Sequence, residues 1–281
     1  MDLFLAAGVG RETNDAANKV REEILATLYH STDTQLAPLR DAWKTFLSTL
    51  CPLPYDDVHA VRKGGRSANH DFNLTFLADS APILSVKTEF KHNARTLEKL
   101  PQYFSPAADK PYFPRLYADV FYDDFLDRAC QVYPGVADLK PSKETYLRLV
   151  YNDTYDRHPF FRAFYDAETN GTREQYKQKQ QVVRESIRTY LDTYGKDLDV
   201  ARLSADIRER QTDKVFILWT LREFIKDTLQ DDELEITHVE RVKNGNTLIA
   251  VSKAGTRHNM LLRWKNHLGV MFPAWQISLT R

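Results

Sequence analysis

The chain has 281 residues, 42% hydrophobic and 28% charged with no low-complexity tract, which bounds it as an ordered protein of one large α/β domain or two small ones. Its 39 basic and 39 acidic residues cancel, so a uniformly basic nucleic-acid binder is excluded and any charged binding surface has to be a local patch. With only Cys51 and Cys130, neither a disulfide framework nor a cysteine-rich zinc site is expected.

The opening apolar run carries an acid at Asp2 and no basic start, so it makes a poor signal peptide. No apolar stretch approaches the roughly 20 residues of a membrane span. An intracellular compartment, cytoplasm or nucleus, is the expectation. Residues 14–30 carry Val20, Ile24 and Leu28 at helical spacing. A second helix, capped by Thr32 or Asp33, aligns Leu36, Leu39, Trp43, Phe46, Leu47 and Leu50, and the prolines at 52 and 54 end it. Residues 1–54 are thus expected as an N-terminal helical region, a hairpin leading into a sheet. Its acids, Glu22, Glu23 and Asp41, read as a solvated face.

Residues 55–63 form a short strand candidate, with Asp56 and Asp57 as candidate metal ligands. Arg62, Lys63 and Arg66 surround Gly64 and Gly65. Three cations about two glycines suit phosphate, because glycine lets backbone amides approach closely, and they equally suit a solvated hairpin tip. Two alternating strands follow. In 70–77, Phe72, Leu74 and Phe76 oppose Asp71, Asn73 and Thr75; in 83–91, Leu84, Val86, Thr88 and Phe90 oppose Ser85, Lys87, Glu89 and Lys91. A five-residue loop, 78–82, separates them. An antiparallel hairpin centred on Ser80 pairs residues whose numbers sum to 160, which sets Asp71 opposite Glu89. Opposed β-carbons lie about 4.5–5.5 Å apart, and like charges there repel. A divalent cation with oxygen ligands would compensate, and Lys91 lies on the same face.

After Lys91 a helix is expected to include Leu97 and Leu100 and to break at Pro101, before a proline-rich loop. Phe113, Tyr117, Phe121 and Phe125 recur every fourth residue, predicting a long helix over 113–133 whose stripe reads as core rather than as a base-stacking platform. Residues 142–151 form a shorter helix. Residues 151–170, with His158 before Pro159, read as an irregular surface loop whose histidine either meets substrate or is structural. Residues 172–194 form another helix, stopped by Gly195. The apolar run 214–219 reads as a buried central strand in preference to a helix. Beyond Asp231 the pattern turns to strands at 234–242, 247–252, 259–265 and 274–279, with a hairpin turn at Asn244-Gly245-Asn246. From His238 to Arg281 there are seven Lys or Arg against one acid, Glu240. Arg263 and Lys265, alternating with Leu262 and Trp264, are read as phosphate contacts on one strand face in preference to a solvated face. No Walker or Rossmann glycine loop, HExxH helix or GxSxG elbow occurs.

Asp71 followed by Glu89-Phe90-Lys91, the only Glu-x-Lys in the chain, resembles the signature of the PD-(D/E)xK, restriction-endonuclease-like nuclease superfamily. His70 stands where that family's namesake proline would be. The resemblance implies an α/β fold, a restriction-endonuclease-like mixed β-sheet flanked by helices, spanning 55–281, with a helical insertion at about 113–194 and a basic, β-rich C-terminal part at 234–281. It implies Mg²⁺ (or Mn²⁺) held by Asp71, Glu89 and the Phe90 carbonyl. Lys91 would orient or deprotonate water, and Gln102 resembles a glutamine that some branches place after the Glu-x-Lys strand. The implied activity is phosphodiester hydrolysis, with DNA the expected partner, and a homodimer would suit a duplex cutter. The alternative is a non-catalytic nucleic-acid-binding or partner-binding module on the same fold.

Overall fold

The computed structural model describes residues 2–5, 11–63, 70–98, 102–104, 112–152, 158–243, 245–267 and 270–281. The chain divides into two compact units, Met1–Leu97 with Ile207–Asp231, and Glu98–Asp206 with Asp232–Arg281. This division differs from the expected boundary at residue 54. The N-terminal helices share one core with the hairpin, while the C-terminal strands group with the helical segment that precedes them.

The first unit is built on a five-stranded mixed sheet. In sequence its strands are β1 (Asp57–Arg62), β2 (Phe72–Ala78), β3 (Ala81–His92), β5 (Lys214–Trp219) and β6 (Phe224–Asp227), and their order across the sheet is β1-β2-β3-β5-β6. All neighbours are antiparallel except β3 and β5, which run parallel. A parallel pair needs a long crossover, and here residues Glu98–Asp206 of the second unit intervene before the chain returns as β5. The run 214–219 is a strand as expected, and its near-continuous burial is what a parallel strand covered on both faces requires.

Helices α1 (Asp2–Leu5), α2 (Arg11–Thr27) and α3 (Ala37–Leu50) cover one face of this sheet. Asp33 accepts a hydrogen bond from the Gln35 N–H and starts a short 3-10 turn, and Pro38 sits in the first turn of α3, where its missing N–H costs nothing. Leu25, Leu28, Leu39, Trp43, Phe46 and Leu47 from the helices bury against Phe72, Leu74, Phe76, Phe90, Ile217 and Trp219 from the sheet. Alternation along the strands then fixes the other face: Asp71, Lys87, Glu89, Lys91 and Lys214 are turned away from this core.

The hairpin register is as expected from Phe72↔Thr88 and Asn73↔Lys87 to Phe76↔Leu84. Its loop is tighter than expected. Ala78 pairs with Ala81 around a two-residue turn in which Asp79 (φ 50°) and Ser80 (φ 64°) are both left-handed, the signature of the hairpin turn that matches strand twist. A bulge between Phe76 and Leu77 then adds the residue that restores the register. The helix expected after Lys91 is absent from residues 93–98, which form turns and bends. Asn93 takes φ 53°, and the chain is instead tied to the sheet by Ala94 N–H on the Trp219 carbonyl (3.0 Å) and Leu97 N–H on Asp227 (3.2 Å). Leu100 and Pro101 lie outside the described residues.

The second unit holds an antiparallel sheet. Four long strands, β7 (Ile236–Arg241), β8 (Thr247–Ser252), β9 (Arg257–His267) and β10 (Val270–Thr280), meander in order, and the three-residue β4 (Gln102–Phe104) pairs with β10 at the other edge. Its helices are α4 (Tyr117–Asp124), α5 (Leu126–Gln131), α6 (Lys143–Asn152), α7 (Pro159–Asn170), α8 (Arg173–Tyr194) and the one-turn α10 (Asp231–Leu234). The remaining helix, α9 (Val200–Gln211), carries the chain across the boundary between the two units. The aromatic stripe is core as expected: Phe121 lies 4.7 Å from the Trp264 ring, and Trp264 Nε1 donates to the Tyr117 hydroxyl at 3.0 Å.

Two helical expectations need correction. The single helix over 113–133 is two helices broken at Phe125; Pro114 disfavours helical geometry at Phe113, and the first helix begins at Tyr117 after an extended Leu116 (ψ 141°). The supposed loop at 158–170 is helix α7. Pro159 opens it, His158 caps it by accepting the Phe160 N–H at 3.2 Å, and Phe160 and Phe161 bury on its apolar side. His158 is therefore engaged as a cap. Residues 153–157 and Asn244 of the hairpin turn lie outside the described residues. No described helix is long and apolar enough to cross a membrane.

Candidate active site

Asp71 sits one residue before β2, beyond the last paired position, Phe72↔Thr88, and its N–H donates to the Thr88 carbonyl at 2.9 Å. Its carboxylate Oδ2 accepts the Phe90 N–H at 2.8 Å, so the side chain reaches across to the backbone of the Glu-x-Lys strand. Burial, then the negative charge of Glu89, push the Asp71 pKa up to about 6, against the pull of the Phe90 N–H. The charge of Glu89 thus bears on Asp71, one residue beyond the last paired position of the hairpin.

Glu89 is held on both sides. Its Oε1 lies 2.6 Å from Lys91 Nζ, and its Oε2 lies 2.5 Å from Lys214 Nζ. Burial alone would favour the neutral acid, but the two ammonium groups outweigh it and hold Glu89 below the usual carboxylate range. Glu89 keeps 12% of its side chain exposed and Lys91 21%, whereas Lys214 keeps only 2%. Lys214 is the residue that sequence reasoning missed. It opens the apolar run 214–219, which reads as a buried strand with no role for its lysine. Only the parallel pairing of β5 with β3, at Lys87↔Lys214, puts it on the face of Glu89.

As oxygen donors of a hard cation, Asp71, Glu89 and the Phe90 carbonyl form a suitable set, two acids on neighbouring strands whose mutual repulsion a dication would relieve. Asp56 and Asp57 do not join them. The Asp56 carboxylate accepts the Asp79 N–H at 2.9 Å and braces the hairpin turn, and Asp57 lies between His30 and His59.

The remaining candidates lie on other elements of the two units. Gln102 is on β4 in the second unit, paired with Ile277, and its side chain lies outside the described residues. Arg62 is engaged by Glu22 and Glu23 of α2, each at 3.0 Å. Lys63 is exposed and donates its backbone N–H to the Asp71 carbonyl at 2.8 Å, while Arg66 lies outside the described residues. On β9, Arg263 donates to Gln276 at 2.9 Å, and the Lys265 side chain lies outside the described residues. Four of the seven C-terminal cations are paired with acids of their own unit: Arg241 with Asp192, Lys253 with Asp232, Arg257 with Glu240 and Arg281 with Glu233. The local excess of positive charge is smaller than the sequence window suggests, because Asp192, Asp232 and Glu233 lie outside that window.

A scan against protein-family models finds no match to this chain, and a search of curated proteins finds none either.

Proposed function

We propose that the chain is a metal-dependent nuclease, hydrolysing phosphodiester bonds of DNA through Asp71, Glu89 and Lys91 on a restriction-endonuclease-like sheet. The observation that carries this reading is the coupled carboxylate pair with a lysine 2.6 Å from one of its oxygens. The alternation along the hairpin supports the same reading: with Phe72 and Phe90 in the core, Asp71, Glu89 and Lys91 turn to the opposite face.

In this reading Asp71, Glu89 and the Phe90 carbonyl hold Mg²⁺ or Mn²⁺, which supplies charge for the scissile phosphate and acidifies water. The Lys91 ammonium, partly exposed beside Glu89, orients the attacking water and stabilises charge developing on the phosphate oxygens. Lys214, buried behind Glu89, is a positioning residue that fixes the carboxylate without reaching substrate. The Phe90 N–H orients Asp71 in the same way. Exposed Lys63, next to the strand that leads to Asp71, contributes to holding the phosphate backbone.

The test is cleavage by Lys91→Ala beside a Mn²⁺ binding measurement on the same protein. The reading requires cleavage to fall at least ~100-fold, the scale of a general acid–base contribution, with metal affinity largely kept. Cleavage at the wild-type rate would remove the role assigned to Lys91.

A second reading, a binding module without catalysis, is favoured by one observation: both Glu89 oxygens are engaged by lysines. Salt-sensitive DNA binding with neither metal uptake nor cleavage would select it.

A further inference from the structure

We propose a second metal site, independent of the nuclease reading: His30, Asp57 and His59 form a three-ligand site for a transition-metal dication of the zinc class. His30 ends the 3-10 turn Leu28–His30 that closes the α2 segment. Asp57 and His59 stand two residues apart on the edge strand β1, so both project to the side on which His30 arrives. His30 Nε2 lies 3.1 Å from Asp57 Oδ1, and His59 Nε2 lies 3.2 Å from Asp57 Oδ2. One ligand atom from each of the three residues falls within 4.8 Å of the others, the only such group of three among the described residues.

The two histidines meet different oxygens of Asp57, and one ligand atom from each residue lies within 4.8 Å of the others, so small rotations of the two exposed imidazoles bring the three to the spacing of a small tetrahedral ion. With metal–ligand bonds of about 2.0–2.1 Å, the edge of a tetrahedron is about 3.3–3.4 Å. Both imidazoles turn Nε2 inward although more than half of each side chain is exposed, at 56% and 59%. Asp57 Oδ1 also accepts the Val58 N–H at 2.7 Å, which fixes the carboxylate as outer-sphere hydrogen bonds fix ligating acids. Two imidazoles and one carboxylate suit zinc and its first-row neighbours, whereas the all-oxygen set at Asp71 and Glu89 suits magnesium or manganese. The sites are also apart in the sheet. Asp57 pairs with Leu77 and Arg62 with Phe72, so the five-residue step from Asp57 to Arg62 separates them by about 17 Å. Solvent occupies the positions the protein leaves open, and metal held here ties the end of the α2 segment to β1.

The experiment is calorimetric titration of the full chain with Zn²⁺ in excess Mg²⁺, and of Co²⁺ followed by visible absorption. Wild type is compared with His59→Ala, Asp57→Asn and the control Glu89→Gln, each checked for folding by circular dichroism. The expected result is one Zn²⁺ per chain, with affinity falling at least ~10-fold in His59→Ala and Asp57→Asn and unchanged in Glu89→Gln. Zn²⁺ should also raise the melting temperature of wild type and of Glu89→Gln but not of His59→Ala. No Zn²⁺ uptake by wild type overturns the proposal, and so does uptake that His59→Ala and Asp57→Asn retain. Should His59→Ala fail to fold, Asp57→Asn, which keeps the shape of the side chain, decides the matter alone.

Discussion

Replacing Asp71 by Asn isolates the electrostatic cost of the candidate site. The amide keeps an acceptor for the Phe90 N–H and removes the charge. In the folded protein Asp71 titrates at about 6 against 3.8 for the unperturbed group, so ionising it is opposed by burial and by Glu89. Because the folded-state value is raised, the protonated acid favours folding fully below pH 3.8, and that advantage is lost as pH rises through 6. Linkage over that interval gives a cost to wild type of about 3 kcal/mol at pH 7.5 and about 1 kcal/mol at pH 4.5. Urea denaturation in EDTA should therefore find Asp71→Asn more stable than wild type at pH 7.5 by an amount approaching that figure. The difference should shrink steadily towards pH 4. A variant less stable than wild type at pH 7.5, or a difference that ignores pH, would refute the claim that two coupled acids face each other here.

Other outcomes follow from the same geometry. Lys214→Met leaves Glu89 with Lys91 alone, so it should cost about 1–3 kcal/mol in urea denaturation; an unchanged midpoint would mean that Lys91 satisfies the acid unaided. Thr172 and Gln175 form a reciprocal capping box at the start of α8, and Thr172→Ala should cost about 0.5–2 kcal/mol; no loss of thermal stability would mean that solvent replaces the cap without penalty.

The hairpin was legible because its period is 2 and its apolar face is unbroken from Phe72 to Phe76, so the register from Phe72↔Thr88 to Phe76↔Leu84 followed from arithmetic. The turn was not, since a two-residue turn plus a bulge and a five-residue loop give the same register. The strand at 214–219 was readable from its apolar run, yet its partner was not, because a parallel neighbour is distant in sequence, and that hid Lys214. Helix α7 was hidden inside a stretch that reads as an irregular loop, although Pro159 at its first turn is a helix starter. His30 escaped notice beside Asp57 for the same reason as Lys214: only the packing of α2 on β1 brings them together.

The central claim is tested most directly by incubating supercoiled plasmid and single-stranded DNA with the protein in Mg²⁺, Mn²⁺ or EDTA, comparing wild type with Glu89→Ala. The account predicts nicking or linearisation that needs the metal and disappears in the variant. Cutting that persists in Glu89→Ala, or in EDTA, would contradict it, and no cutting by wild type with either metal would leave the carboxylate pair without the proposed chemistry.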